Sequence, residues 1–366
     1  MVLNLVEQLE IFGVEETRRQ AQRGGSSARE RKRMERRIET AHELMSVLPT
    51  ADDLSFLHSG LCQVALPHSR PSDDSMIWRR QSGRFSLLVQ PGVIDAGGIA
   101  RYVGVPYGPK ARLIMIHLQT EGLKSRTVNL GASFSAFMRS LGLAVTGGAR
   151  GTISAVREQA LRIAQCRFTM QWNEANSAHE GRAIIANTSI VDRLELWRAG
   201  GQQWAETVEL SEKFHAHLQE HAVPLDKRGI AHLSANSLGL DLYALLAYRL
   251  PRLERDVHLR WNALQSQIGS AERTTNTLAQ RIREVMPEVL IAYPHAQVDV
   301  TSHGLLLKPS KAAVPRPQVN GFKLIGANSS HDASDKRANS ELTAATSAGN
   351  SSITTGQSRG SSKLKY

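Results

Sequence analysis

Arg273, Asn276, Gln280 and Arg283 recur every three or four residues, with Thr277 next to Asn276, a spacing that sets the five side chains along one side of a helix. Their types suit the base edges of a DNA major groove. Asn and Gln can each give and accept a hydrogen bond with adenine, and Arg can donate two to guanine or pair with a phosphate. Leu278, Ile282, Val285 and Met286 fall on the other side, so the pattern predicts a helix from about Ala271 to Val285 with an apolar face inward and a polar face outward, bordered by Glu284. A single Arg or Gln on such a face is ordinary solvated surface. The grouping is what points to a polyanion.

The elements around this helix are equally readable. Leu242, Leu245 and Leu246 form the apolar stripe of a helix that Pro251 ends. Val257 to Trp261 alternates like a short strand, and Leu264 and Ile268 mark a short helix. Gln297 to Thr301, the turn Ser302-His303-Gly304 and Leu305 to Lys308 predict a β-hairpin, which brings Lys308 into the group of candidate DNA contacts. Helix, strand, helix, helix, hairpin is winged-helix order, in which one helix is presented to the major groove.

The same order occurs earlier in the chain. Pro109 suits the first turn of a helix whose run Leu113, Ile114, Ile116 and Leu118 is dense enough to be buried. Ser125 to Leu130 reads as a strand stopped by Gly131, and Ser133 caps a helix with Phe134, Phe137, Met138 and Leu141 on one face. After a turn at Gly147-Gly148, a helix opened by Thr152 carries Ile153, Val156, Ala160, Ile163 and Ala164 inward. Its outer face has Ser154, Ala155, Glu158, Arg162 and Gln165, flanked by Arg150 and Arg157. Ala and Glu weaken base readout there. Arg150, Ser154, Arg157 and Arg162 are therefore secondary DNA contacts, with most recognition expected from the later unit. Residues 174–181 read as the loop of a first wing between Arg167 to Trp172 and Arg182 to Asn187.

The wording of the earlier unit resembles the plasmid-encoded RepA family of bacterial replication initiators, over roughly residues 55 to 310. The resemblance rests on Gly104-Val105-Pro106-Tyr107-Gly108 with Ala111-Arg112-Leu113, on Leu118-Gln119-Thr120-Glu121, on Phe134-Ser135-Ala136-Phe137-Met138-Arg139 with Leu141-Gly142-Leu143, and on Thr146-Gly147-Gly148. It implies an initiator that binds directly repeated origin DNA, strains adjacent AT-rich duplex, and works with the host initiator and helicase. It also implies a possible homodimer, for which Ile184 to Ala186 and Ser189 to Val191 offer an apolar strand edge. A winged-helix repressor without a replication role is the competing expectation.

Composition agrees with a nucleic-acid partner. The 366 residues carry a formal net charge of +11, with a pI near 9.9, which attracts polyanions. Basic residues crowd one stretch, where Arg18, Arg19, Arg23, Arg29, Arg31, Lys32, Arg33, Arg36 and Arg37 are opposed within it only by Glu30 and Glu35. Such an arm could grip phosphates or form a solvated helix, with Met34, Ile38, Ala41 and Met45 at near-helical spacing. No run of eighteen apolar residues predicts a membrane span, and two cysteines, Cys62 and Cys166, form no disulfide framework or metal pair. A cytoplasmic protein without cofactor is expected.

Enzymatic chemistry finds little footing. His215-Ala216-His217 resembles the histidine pair of metal-dependent DNA nickases, yet on a helix neighbours two apart diverge. Gly147 to Gly151 lacks the Lys and Ser or Thr of a phosphate loop. The overall expectation is a mainly helical α+β chain, not an enzyme. It comprises a basic helical arm (1–50), two tandem winged-helix domains (51–223 and 224–310) and a disordered tail (311–366) poor in large apolar residues.

Overall fold

Ser27 opens the second of two N-terminal helices, α1 (Leu5–Gly24) and α2 (Ala28–Ser46). The Glu30 amide donates to the Ser27 hydroxyl and the Ser27 amide to the Glu30 carboxylate, a reciprocal cap. The computed structural model describes residues 3–24, 27–148, 151–173, 183–188, 190–194, 207–269 and 274–315, all within one unit, Met1–Gly326.

Strand β1 (Leu54–His58), helix α3 (Ser59–Gln63), strands β2 (Trp78–Ser82) and β3 (Phe85–Gln90), and the small hairpin of β4 (Val93–Asp95) and β5 (Ala100–Tyr102) come next. The first expected series follows as α4 (Gly108–Gly122), β6 (Thr127–Asn129), α5 (Phe134–Ser140), α6 (Thr152–Gln165), β7 (Arg167–Asn173) and β8 (Ala183–Thr188). Strands β9 (Val191–Leu194) and β10 (Thr207–Leu210), helix α7 (Glu212–His221), strand β11 (Ala222–Asp226) and helix α8 (Lys227–Leu233) lead to the second series. That series is α9 (Ser237–Arg249), β12 (Val257–Arg260), α10 (Trp261–Ile268), α11 (Thr275–Ala292), β13 (Val298–Val300) and β14 (Gly304–Leu307). The result is a mixed α and β fold in which all described strand pairs are antiparallel.

Local signals are met at several ends. Pro109 sits in the first turn of α4, and Ser133 caps α5 by accepting from the Ala136 amide at 3.1 Å. Thr152 does not cap α6, because its hydroxyl turns back to the Ala144 carbonyl and accepts from the Thr146 amide; Gly151 holds the cap position. Helix α11 starts later than predicted and runs on through Pro287 to Ala292. Proline removes one bond on the exposed side, but the burial of Val289, Ile291 and Ala292 carries the helix onward.

The sheets split the two series. In the later one, β14 lies between β12 and β13, with Leu259 opposite Leu305 and Val298 opposite Leu307. In the earlier one, β7 pairs with β8 but its other edge is taken by β3, with Leu87 opposite Met170, and β6 pairs instead with β10. The loop predicted for the first wing, 174–181, lies outside the described residues.

Two apolar clusters share α4. Leu113 and Ile116 point into a cluster with Tyr243, Leu246, Ile282 and Leu305, while Ile114, Met115 and Leu118 point into another with Leu87, Met138, Phe168 and Phe214. That double duty explains a helix apolar nearly all round. The expected boundary at residue 224 falls inside β11, whose Pro224 lies opposite Phe56 of β1. Leu57, Cys62 and Ala65 also join the later cluster.

The predicted tail begins too early. Its first residues belong to the fold, since Val314 is buried against Leu54 and Phe56, and the Tyr293 hydroxyl donates to the Lys311 carbonyl at 2.6 Å. Residues 316–366 lie outside the described residues. Among those described, no helix is long and apolar enough to cross a membrane.

Candidate nucleic-acid interface

Helix α11 presents the face that its sequence pattern predicts. Thr274 caps it, accepting from the Thr277 amide at 3.3 Å, and Leu278, Ala279, Ile282, Val285 and Met286 are buried. Asn276, Thr277, Gln280 and Arg283 are exposed. The Gln280 amide donates to Glu284 at 3.0 Å. Arg273 lies outside the described residues.

The turn of the neighbouring hairpin is held by Trp261, the first residue of α10. Its indole nitrogen donates to the Ser302 carbonyl at 2.8 Å and its backbone amide to the His303 carbonyl at 3.1 Å. Arg283 spans the same corner, its guanidinium 5.4 Å from the Trp261 ring centre and 3.4 Å from the Thr301 carbonyl. Helix and hairpin turn therefore meet at one corner, with exposed Ser302 and His303 at its tip. Lys308 is less available than expected, because its ammonium lies 2.7 Å from the Asp299 carboxylate across the hairpin, and that bond raises its pKa.

Helix α6 corrects one assignment outright. Arg162 is 3% exposed and faces inward, donating to Glu158 at 2.9 Å, to Asp74 at 3.1 Å and to the Val105 carbonyl at 3.1 Å. Burial alone would raise the Asp74 carboxyl, but the hydrogen bonds and charges of Arg70 and Arg162 hold it below the ordinary value. Arg162 shares the buried face of α6 with Gln159, whose side-chain oxygen accepts from the Tyr107 amide at 2.8 Å. Arg162 is thus a structural cation. Ser154 bonds locally to the Gly151 carbonyl, and Arg157 is exposed with its guanidinium 5.2 Å from the Phe134 ring centre. Arg150 lies outside the described residues. Ile190 and Val191, part of the suggested dimer edge, are buried core side chains.

Two side-chain groups that sequence spacing did not reveal join distant elements, and the first links the two series. Arg112 of α4 grips Asp241 of α9 with two bonds of 2.6 Å, and His68 reaches the same carboxylate at 2.9 Å. The remaining Arg112 N–H groups go to the Leu66, Pro67 and Gly108 carbonyls. Burial pushes the Asp241 carboxyl upward, but Arg112 and His68 outweigh it and keep the group below its ordinary value.

The second group joins β1 to α7. His58 Nδ1 accepts from the Gly60 amide at 3.0 Å, so in the neutral ring Nε2 carries the proton and donates to His217 Nδ1, 3.0 Å away. The His221 ring lies beyond, tilted 45° to that of His217 with ring centres 4.5 Å apart. Burial, reinforced by the two neighbouring rings, depresses His58 well below the usual histidine value. His217 is thus turned toward His58 rather than paired with His215. Among the described residues no group of histidine, cysteine and carboxylate side chains is arranged to hold a metal.

Residues 105–263 match the family described as plasmid encoded RepA protein, which bears out the resemblance drawn from the wording of that segment. No curated protein matches the chain. Among solved structures, the selenomethionine crystal structure of domains 2 and 3 of RctB is similar at 11% identity and a TM-score of 0.40, covering 62% of this chain and 83% of that one. A second crystal structure of RctB domains 2–3 is similar at 12% identity and a TM-score of 0.39, covering 67% of this chain and 95% of that one. Likenesses at this level do not fix an activity.

Proposed function

We propose that this protein is a plasmid replication initiator in which two winged helices bind directly repeated origin DNA and the α11 corner supplies most of the sequence recognition. The family match over residues 105–263 carries the initiator reading. The DNA-reading surface rests on α11, where Asn276, Gln280 and Arg283 stand exposed in one row beside a hairpin pinned by Trp261. The order β12, β14, β13 behind that helix supports a wing. With Arg162 buried, α6 retains Arg157 as its exposed cation and contributes weaker contacts.

In this reading the chain binds and strains DNA without cutting it. Unstacking costs a few kcal/mol per base step, so several copies on adjacent repeats share the work of opening AT-rich duplex, with host initiator and helicase as partners. Buried, unpaired Cys62 and Cys166 suit a reducing cytoplasm. Footprinting on the DNA flanking the gene tests the proposal. Regularly spaced protections over direct repeats support it, and one palindromic protection over a promoter favours a repressor.

A further inference from the structure

The N-terminal helices are part of the α11 surface. Ile38 and Ala41 of α2 and Leu9 of α1 bury Ile291, while Arg33 and Arg37 lie 3.3 and 3.2 Å from the Glu288 carboxylate, which His232 also meets at 2.8 Å. Ile291 is eleven residues beyond Gln280, which on a helix brings it back to within about 20° of the same direction and about 17 Å further along the axis. The outward strip that starts with Asn276 and Gln280 is therefore covered at its far end by α2. A duplex lying along that strip meets α2 as a shoulder.

The side of α2 that faces away from this contact is basic. Arg29, Lys32 and Arg36 fall at helical spacing opposite Ile38 and Ala41, with Arg33 on the flank, and all four are exposed. Nearby acids are drawn elsewhere: Glu30 caps Ser27 and Glu35 pairs with Arg18 at 2.6 Å. Arg33 is shared with Glu288, and Glu39 and Glu43 end the stripe. From Arg29 to Arg36 the stripe is about 10 Å long. A duplex strand carries about three phosphates over that length.

We propose that Arg29, Lys32 and Arg36 form a binding site for the DNA sugar–phosphate backbone that is independent of base sequence and engages the duplex lying on α11. The site rests on the reading of α11 as a DNA-contacting helix. It sets the duplex against the shoulder and adds affinity without adding discrimination between sequences.

The test uses the full chain with Arg29→Gln, Lys32→Gln and Arg36→Gln combined, titrated against a gene-flanking duplex and a scrambled duplex from about 50 to about 200 mM salt. The expected result is a salt dependence shallower by up to about 2.7 in log–log slope, at about 0.9 per lost phosphate contact. Affinity falls by roughly ten- to hundredfold on both duplexes near physiological salt, and their ratio stays constant. If the triple variant melts early, Arg29→Gln and Arg36→Gln are measured singly, each expected to lower the slope by about 0.9. An unchanged slope on both duplexes overturns the site. A rise in affinity overturns it too, and makes the α1–α2 pair a cover over the DNA face. Should the wild-type chain show no preference for the flanking duplex, the reading of α11 fails, while the slope on scrambled DNA still decides the stripe.

Discussion

Asp241→Ala is the substitution whose consequence the structure defines most sharply. Arg112 is 6% exposed and places all five N–H groups, two on Asp241 and three on backbone carbonyls. Removing the carboxylate leaves those carbonyl bonds intact but strands a buried cation and takes the partner from His68. Loss of one member of a buried pair costs about 3–5 kcal/mol. Because this contact bridges α4 and α9, the penalty falls on the junction of the two apolar clusters. Urea unfolding followed by tryptophan fluorescence and by circular dichroism measures it. Arg112→Met combined with Asp241→Leu should recover part of the loss, since an apolar pair of similar volume removes the stranded cation, while His68 and the carbonyls that Arg112 served lose their partner. The pH dependence has a definite sign. With the Asp241 carboxyl below its ordinary value in the folded chain, its contribution is present above the unfolded carboxylate pKa and is lost as pH falls through the folded one. A loss under about 1 kcal/mol for Asp241→Ala, or a double variant no better than the single, would refute this account of the junction.

Arg162→Met should cost about 3 kcal/mol, the low end for a broken buried pair, because Asp74 and Glu158 are partly exposed. The DNA affinity of its folded fraction should stay within about twofold of wild type, and a selective loss of affinity with unchanged melting would return Arg162 to the interface. His58 is neutral when folded, so below the unfolded value near pH 6.5 the unfolded chain takes up the extra proton and stability falls, by at most about 1.4 kcal/mol per pH unit for this one group. His58→Asn, which keeps an acceptor for the Gly60 amide, should flatten that decline by one proton in unfolding measured from pH 7 to 5. Gly104→Ala should cost about 1–3 kcal/mol by denaturant titration, because φ is +75° there and the new methyl group would meet the Arg162 guanidinium and the Asp74 carboxylate. An unchanged midpoint would show that this loop relaxes freely.

What could be read in the sequence was what one helical turn or one hairpin decides. Pro109, Ser133 and the alternation from Gln297 to Lys308 place their elements because their causes lie within a few residues. Helical periodicity also set Asn276, Gln280 and Arg283 opposite a core that the structure buries. Arg162 was misplaced because its inward turn depends on Asp74, 88 residues away in the chain. The i,i+4 spacing of Glu158 and Arg162 was the one local sign of a structural pair. No local pattern brings Arg112 to Asp241 or His58 to His217, across 129 and 159 residues. The pairing of β3 with β7, likewise, joins strands far apart in the chain, which their own alternation does not reveal. The basic arm was legible as a helix, but its seat on Glu288 and Ile291 was not.

The most direct test of the central claim is a footprint of the wild-type chain and of the Asn276→Ala, Gln280→Ala double variant on the DNA flanking the gene, with excess non-specific competitor. Wild type should give regularly spaced protections over direct repeats. The variant should melt like wild type and lose those protections, each good bidentate contact to a base being worth about 1–3 kcal/mol of discrimination. Protections that persist unchanged in the variant, or no specific protection by the wild-type chain, would contradict the assignment of α11 as the reading helix.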